Sequence, residues 1–162
     1  MRNKRGNAII DGITILIILV LFAILAIVGH NFFSDINTDI QNDDDISADG
    51  KEISNNLFVK FPELMDGLFL MALVLLTVVT IALVFVIDSH PLFFIVSILL
   101  LIGVFIVGIL LANVYDDLAS DEELSNSANQ YPNISWVMTH LVEVIIAITF
   151  MVSIALFIKL RA

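Results

Sequence analysis

Two long apolar runs, residues 67–87 and 92–112, are separated only by Asp88-Ser89-His90-Pro91, and neither run contains a charged residue. A helix of that length crosses a hydrocarbon core of about 30 Å. So short a connection admits only an antiparallel hairpin of two membrane helices, with Asp88 or Ser89 as cap and Pro91 in the first turn of the second helix. This hairpin restricts the fold more than any other feature of the chain.

The remaining apolar residues fall into two further blocks, residues 9–29 and 136–158. The chain is 59% hydrophobic and 15% charged, a balance outside the soluble globular range. The expected fold is therefore an all-α integral membrane protein with spans at about 9–29, 66–87, 91–114 and 136–158, forming one domain over residues 1–162. The first block could be read as a secretory signal. No convincing small-x-small cleavage site follows it, however, and a retained span is expected.

Charge is segregated along the chain. Residues 30–65 hold eight acids against two lysines, residues 115–135 hold five acids and no base, and the formal net charge is −10. The other basic residues are Arg2, Lys4 and Arg5 at one end and Lys159 and Arg161 at the other. The positive-inside rule puts both termini on the cytoplasmic side, which requires an even number of spans, and both acidic loops on the opposite side. No basic patch is present, so nucleic acid is not an expected partner. Without cysteine there is no disulfide or thiolate chemistry.

The first loop, residues 30–65, carries two apolar patterns. Phe32, Phe33, Ile36 and Ile40 recur at helical spacing, so the first helix is expected to run past the membrane surface until Asp43-Asp44-Asp45 and Asp49-Gly50 break it. Ile53, Leu57, Phe58 and Phe61 share a face, the pattern of a short helix lying in the interface. Pro62 is expected to open the second span. In the second loop Ser120 and Glu123 have capping-box spacing, and Tyr131 and Trp136 sit where an aromatic belt belongs. Gly108 and Ala112 have the small-xxx-small spacing of closely approaching membrane helices.

Glu143 is the one charge well inside a span, seven residues past Trp136 and roughly 10 Å deep at ~1.5 Å per residue. An ionised carboxylate there costs about 2–3 kcal/mol or more. His140 lies one helical turn away, and His30, Asp66 and Asn113 fall at similar depth on the other spans. An intramembrane cluster of Glu143, His140, His30, Asp66 and Asn113 is thus expected, either as a proton or cation site or as a polar clasp fixing helix packing. Asp45, Ser47, Asp49 and Gly50 match the first half of a calcium loop. Asn56 then stands where the bidentate glutamate belongs, so a solvated acidic turn is the default. Asn133-Ile134-Ser135 forms a glycosylation sequon lying very close to the bilayer. No nucleophile–base set, phosphate loop or cofactor motif appears, and no enzyme activity, cofactor or metal is expected.

Asn7-Ala8-Ile9-Ile10-Asp11-Gly12, Asp66-Gly67-Leu68-Phe69, the Ile87–Phe94 stretch and Asn113-Val114-Tyr115-Asp116 together resemble small four-span membrane proteins encoded by tailless, membrane-containing icosahedral viruses. The resemblance covers most of the chain and implies a protein of the lipid vesicle beneath an icosahedral capsid; the host cytoplasmic membrane is the other expected location. It transfers no functional residues. The expected role is a structural membrane protein, packing as a homo- or hetero-oligomer with other membrane or capsid proteins and offering its acidic loops to a protein shell. A small channel or proton-coupled transporter using Glu143 and His140, or a holin-like permeabilising protein, are the alternatives.

Overall fold

The structure, a computed structural model, describes residues 7–86 and 91–161, and all regular structure among them is helical. The helices are α1 (Asn7–Asn42), α2 (Ala48–Val86), α3 (Pro91–Ala119), α4 (Ser125–Ala128), α5 (Pro132–Thr139) and α6 (Leu141–Arg161). Of these, α1, α2, α3 and α6 are long and apolar enough to cross a membrane. Pro91 starts α3, as its fixed φ favours. The Asp88-Ser89-His90 turn expected before it lies outside the described residues.

The first acidic region is not a loop with a separate interfacial helix. The 36 residues of α1 and 39 of α2 make rods of about 54 and 58 Å, well beyond a ~30 Å core. Both continue beyond their most apolar stretches as an antiparallel helical hairpin closed by residues 43–47. Asp43 Oδ1 accepts the Asp45 backbone N–H at 2.9 Å, fixing the turn. Ser47 Oγ then accepts the Gly50 N–H at 3.2 Å and caps α2. Asp49 and Gly50, expected to break helix, instead form its first turn.

Side chains along the seam explain why helix persists there. Phe33 packs between Phe58 and Phe61, with ring centroids 6.0 and 5.7 Å away. Nearer the turn, Ser54 Oγ donates to Asn37 Oδ1 at 2.7 Å, and Gln41 Nε2 donates to the Lys51 carbonyl at 2.8 Å. Pro62 lies inside α2 rather than opening a span. An interior proline removes one backbone donor and costs about 3 kcal/mol in a free helix. Here Phe58 and Phe61 anchor one flank on α1, while Asp66, in its contact with α5, anchors the other, so α2 continues through.

Two further expectations change. The Ser120–Glu123 capping box does not form: the Ser120 N–H closes α3 on the Asp116 carbonyl, and Asp121 Oδ1 accepts the Glu123 N–H. The fourth span is split at His140, whose φ of −107° and ψ of 27° interrupt the helix between α5 and α6. The Thr139 hydroxyl donates to the Ser135 carbonyl and His140 Nδ1 lies 2.9 Å from the Trp136 carbonyl. Side chains returning to the i−4 carbonyl in this way bend helices. The Val144 N–H still bonds the His140 carbonyl, so the chain keeps its direction.

In cross-section the bundle is a ring: α1 touches α2 and α3, and α6 touches the same two. Val20, Ala23 and Ile27 of α1 meet Phe69, Ala112, Leu141 and Ile145 at its centre. The outward faces are equally apolar, with Leu25 and Phe150 each 67% exposed, as lipid rather than water on the outside requires. At Gly108 a Cβ would come within 2.5 Å of Ile145 Cδ1, so a side chain there has to displace the tip of Ile145, at a position with small-xxx-small spacing to Ala112. Gly108→Leu should destabilise the bundle by about 1–3 kcal/mol through overpacking, read as a lower midpoint in thermal unfolding in lipid nanodiscs. Gly103→Ala, with nothing near its Cβ position, should leave that midpoint in place.

Candidate functional site

The polar residues converge at one end of the bundle, where α5 meets α1, α2 and α3. Helix α5 begins Tyr131-Pro132-Asn133, and Tyr131 at the cap position makes no side-chain cap bond. The first N–H groups of a helix need partners. Asp66 of α2, only 4% exposed, supplies them. Its Oδ1 accepts the Ile134 N–H at 2.8 Å, and its Oδ2 accepts the Asn133 N–H at 3.1 Å and Asn133 Nδ2 at 2.8 Å. One carboxyl group thus satisfies three donors and faces the positive end of the α5 dipole.

Two tyrosines flank this cap. The Tyr131 hydroxyl donates to the Ala26 carbonyl of α1 at 3.0 Å, and the buried ring has no place in an interfacial belt, contrary to expectation. Its small N-cap neighbourhood draws it inward because the hydroxyl has a partner there. Trp136, 59% exposed, does sit outside, as a belt residue would. Burial, reinforced by the nearby Asp66 charge, raises the Tyr131 hydroxyl pKa well above its ordinary value of 10.0. The Tyr115 hydroxyl is 3.1 Å from Ser135 Oγ, which donates to the Ala128 carbonyl at 3.2 Å.

His30 completes the layer. It is buried, stacked on Phe58 at 4.9 Å, and meets the Tyr131 ring edge-on at 5.8 Å. Its Nδ1 is buried without a hydrogen-bond partner.

Of the five residues expected to cluster, the structure brings Asp66 and His30 together around Tyr131. Glu143 and Asn113 are exposed on the bundle surface. His140 is half-buried, stacked on Trp136 at 5.0 Å, and no hydrogen bond or ion pair joins it to Glu143 among the described residues. The one-residue break at His140 takes it out of the straight-helix register that the expectation assumed. In the candidate calcium loop, Ser47 is a helix cap, and residues 48–56, which include Asp49, are helical, so the loop cannot wrap an ion. No group of three or more histidines or acids is placed to hold a metal among the described residues. Sequon residues Asn133 and Ser135 have their polar atoms committed to Asp66, Tyr115 and Ala128.

Tyr131, Tyr115, Asn133 and Ser135 were not among the residues expected here. The available signal was a helix opening on Tyr-Pro-Asn without a local cap, alongside a lone acid at the end of another span.

Chemically, the arrangement is a clasp: α5 is tied to α2 by Asp66, to α1 by Tyr131 and to α3 by Tyr115. Together the fold and this layer define a multi-pass helical membrane protein. No protein-family model, curated protein or solved structure matches the chain.

Asp66→Ala should cost about 2–3 kcal/mol, since buried N–H groups lose charge-assisted bonds, and amide exchange at Asn133 and Ile134 should accelerate before global unfolding. Alkaline stability follows from Tyr131. A group whose pKa is raised by folding contributes stability below its unfolded value and loses it above. Denaturation midpoints in nanodiscs should therefore fall as pH rises beyond 10.0, and less steeply in Tyr131→Phe.

Proposed function

We propose that this chain is a non-enzymatic structural membrane protein that holds an acidic helical hairpin clear of the bilayer for a basic protein surface to engage. Both basic termini lie on the cytoplasmic or inner side, and lateral packing with like or other membrane proteins completes the assembly. The setting implied by the sequence resemblance is a virion's inner membrane, with the capsid as the engaged shell.

The observation that carries this reading is the form of the hairpin. Asp35, Asp39, Asp43, Asp44, Asp45, Asp49, Glu52 and Glu63 are all exposed on it, while Asn37, Gln41, Lys51 and Ser54 stiffen its seam. A rigid, predominantly acidic surface steers and orients a partner of opposite sign. The clasp supports the same reading, because Asp66 spends all its bonds on holding α5. Glu143 and Asn113, which a transport path through the bundle would use, face outward.

Co-purification in native lipid followed by mass spectrometry tests the proposal. Wild-type protein should bring down a shell or membrane protein with a lysine- and arginine-rich face. Recovery should fall several-fold at high salt or in Asp43→Asn/Asp44→Asn/Asp45→Asn, because screening and neutralisation remove the attraction. Recovery of the chain alone contradicts the proposal. In a parallel assay, wild-type and Glu143→Gln proteoliposomes should show the same ion leak as protein-free vesicles, and a Glu143-dependent flux would revive the channel alternative.

A further inference from the structure

Helices α1 and α2 form one edge of the bundle. Facing outward from it are Ile18, Leu25 and Phe32 on α1 and Ile53, Leu57 and Leu64 on α2, each 57–67% exposed. Within the hydrocarbon, lipid tails cover Ile18 and Leu25. Leu57 and Ile53, however, lie nine and thirteen residues beyond the Asp66 layer, about 14 and 20 Å at ~1.5 Å per residue. Tails do not reach there, and large apolar side chains aligned on a water-facing rod mark a protein contact.

Charge identifies the occupant. The α2 row runs Ile53, Leu57, Lys60, Leu64, with spacings of four, three and four residues that keep it on one helix face. Lys60 is its one charge. On α1, Asp35 and Asp39 continue the line of Phe32. All three are exposed, and none has an ion pair among the described residues. Pairing α2 against α2 would set Lys60 against Lys60, a costly like-charge contact. Pairing α2 against α1 sets it beside acids. Within one copy Phe33 is level with Phe58 and Asn37 with Ser54, and a second copy in the same membrane shares those levels. Asp35 of the second copy then lies about one turn, ~6 Å, further out than Lys60, within reach of a lysine stem.

We propose that this edge is the contact between two copies of the chain. They are related by a two-fold axis along the membrane normal, so that α1 of each lies on α2 of the other and Lys60 pairs with Asp35 of the second copy. A self-complementary patch of this kind closes at two. The inference rests on the membrane-spanning reading of α1 and α2 and requires no basic partner, so the test uses the protein alone in lipid.

Fluorophore-labelled wild type, Lys60→Glu, Asp35→Lys and the double exchange are reconstituted over a range of protein-to-lipid ratios and counted by single-molecule photobleaching. Wild type should bleach in two steps, each single exchange should associate roughly ten-fold more weakly, and the double exchange should recover. One-step bleaching of wild type at every ratio, or no recovery in the double exchange, overturns the proposal. The chain has no cysteine, so a second readout bypasses any insertion defect in the charge variants. Asp35→Cys copies mixed with Lys60→Cys copies should be joined by a short bis-maleimide cross-linker, which spans the axial offset that a direct disulfide cannot, and absence of that product also overturns it.

Discussion

A helix cannot begin inside a protein unless something accepts its first N–H groups, and α5 begins where no local side chain does so. The Asp66 carboxyl group supplies that acceptor from another helix, at 2.8 Å to Ile134 and 3.1 Å to Asn133. Because α5 leads directly into α6, the same contact sets where the last apolar helix starts on the bundle. Tyr131 and Tyr115 extend the constraint to α1 and α3. In a bundle whose outward faces meet lipid, apolar burial discriminates poorly between helix rotations. A directional polar layer at one end can fix register where packing of aliphatic side chains alone would not.

The second organising feature is continuity. Helices α1 and α2 run from their apolar stretches into the acidic hairpin without a break, so the hairpin inherits its direction from the bundle and is not a tethered domain. Its seam changes character with distance from the bilayer, from Phe22 against Phe69, through His30 and Phe33 against Phe58, to Asn37 against Ser54. Apolar contacts serve near the membrane and hydrogen bonds near the tip, where water competes. The acids are thereby held on a stiff rod, and the orientation of their field follows that of the bundle.

That four helices are long and apolar enough to cross a membrane is readable in the sequence because it depends on uninterrupted apolar length, a property of each segment taken alone. The same local logic failed at Pro62, Asp49-Gly50 and Ser120–Glu123. There the residues are those that usually end or start a helix, but tertiary contacts decided otherwise. Phe58 and Phe61 carry α2 through Pro62, and Asp121 rather than Ser120 organises the turn before α4. Depth counting groups His30 with Asp66, and in the structure the two lie on either side of Tyr131 without touching each other. It could not tell which way each side chain points, so Glu143 and Asn113 were grouped with them although they face outward. Tyr131 was misplaced for a related reason: an aromatic residue near a span end reads as a belt residue until its hydroxyl partner, here a carbonyl 105 residues away, is known.

If the apolar stretches lie in the bilayer, its surface falls near Asp66 and the helices carry on into water beyond it. The most direct measurement introduces single cysteines, one per protein, along α1 and α2 and labels them in sealed vesicles with a membrane-impermeant thiol reagent. Labelling is expected at Asp35, Asp45, Asn56 and Lys60 from the side that carries the hairpin. Protection is expected at Ile18 and at Met71 to Ala82. Free labelling at Met71 or Val74, or protection along the whole of residues 48–60, would contradict it.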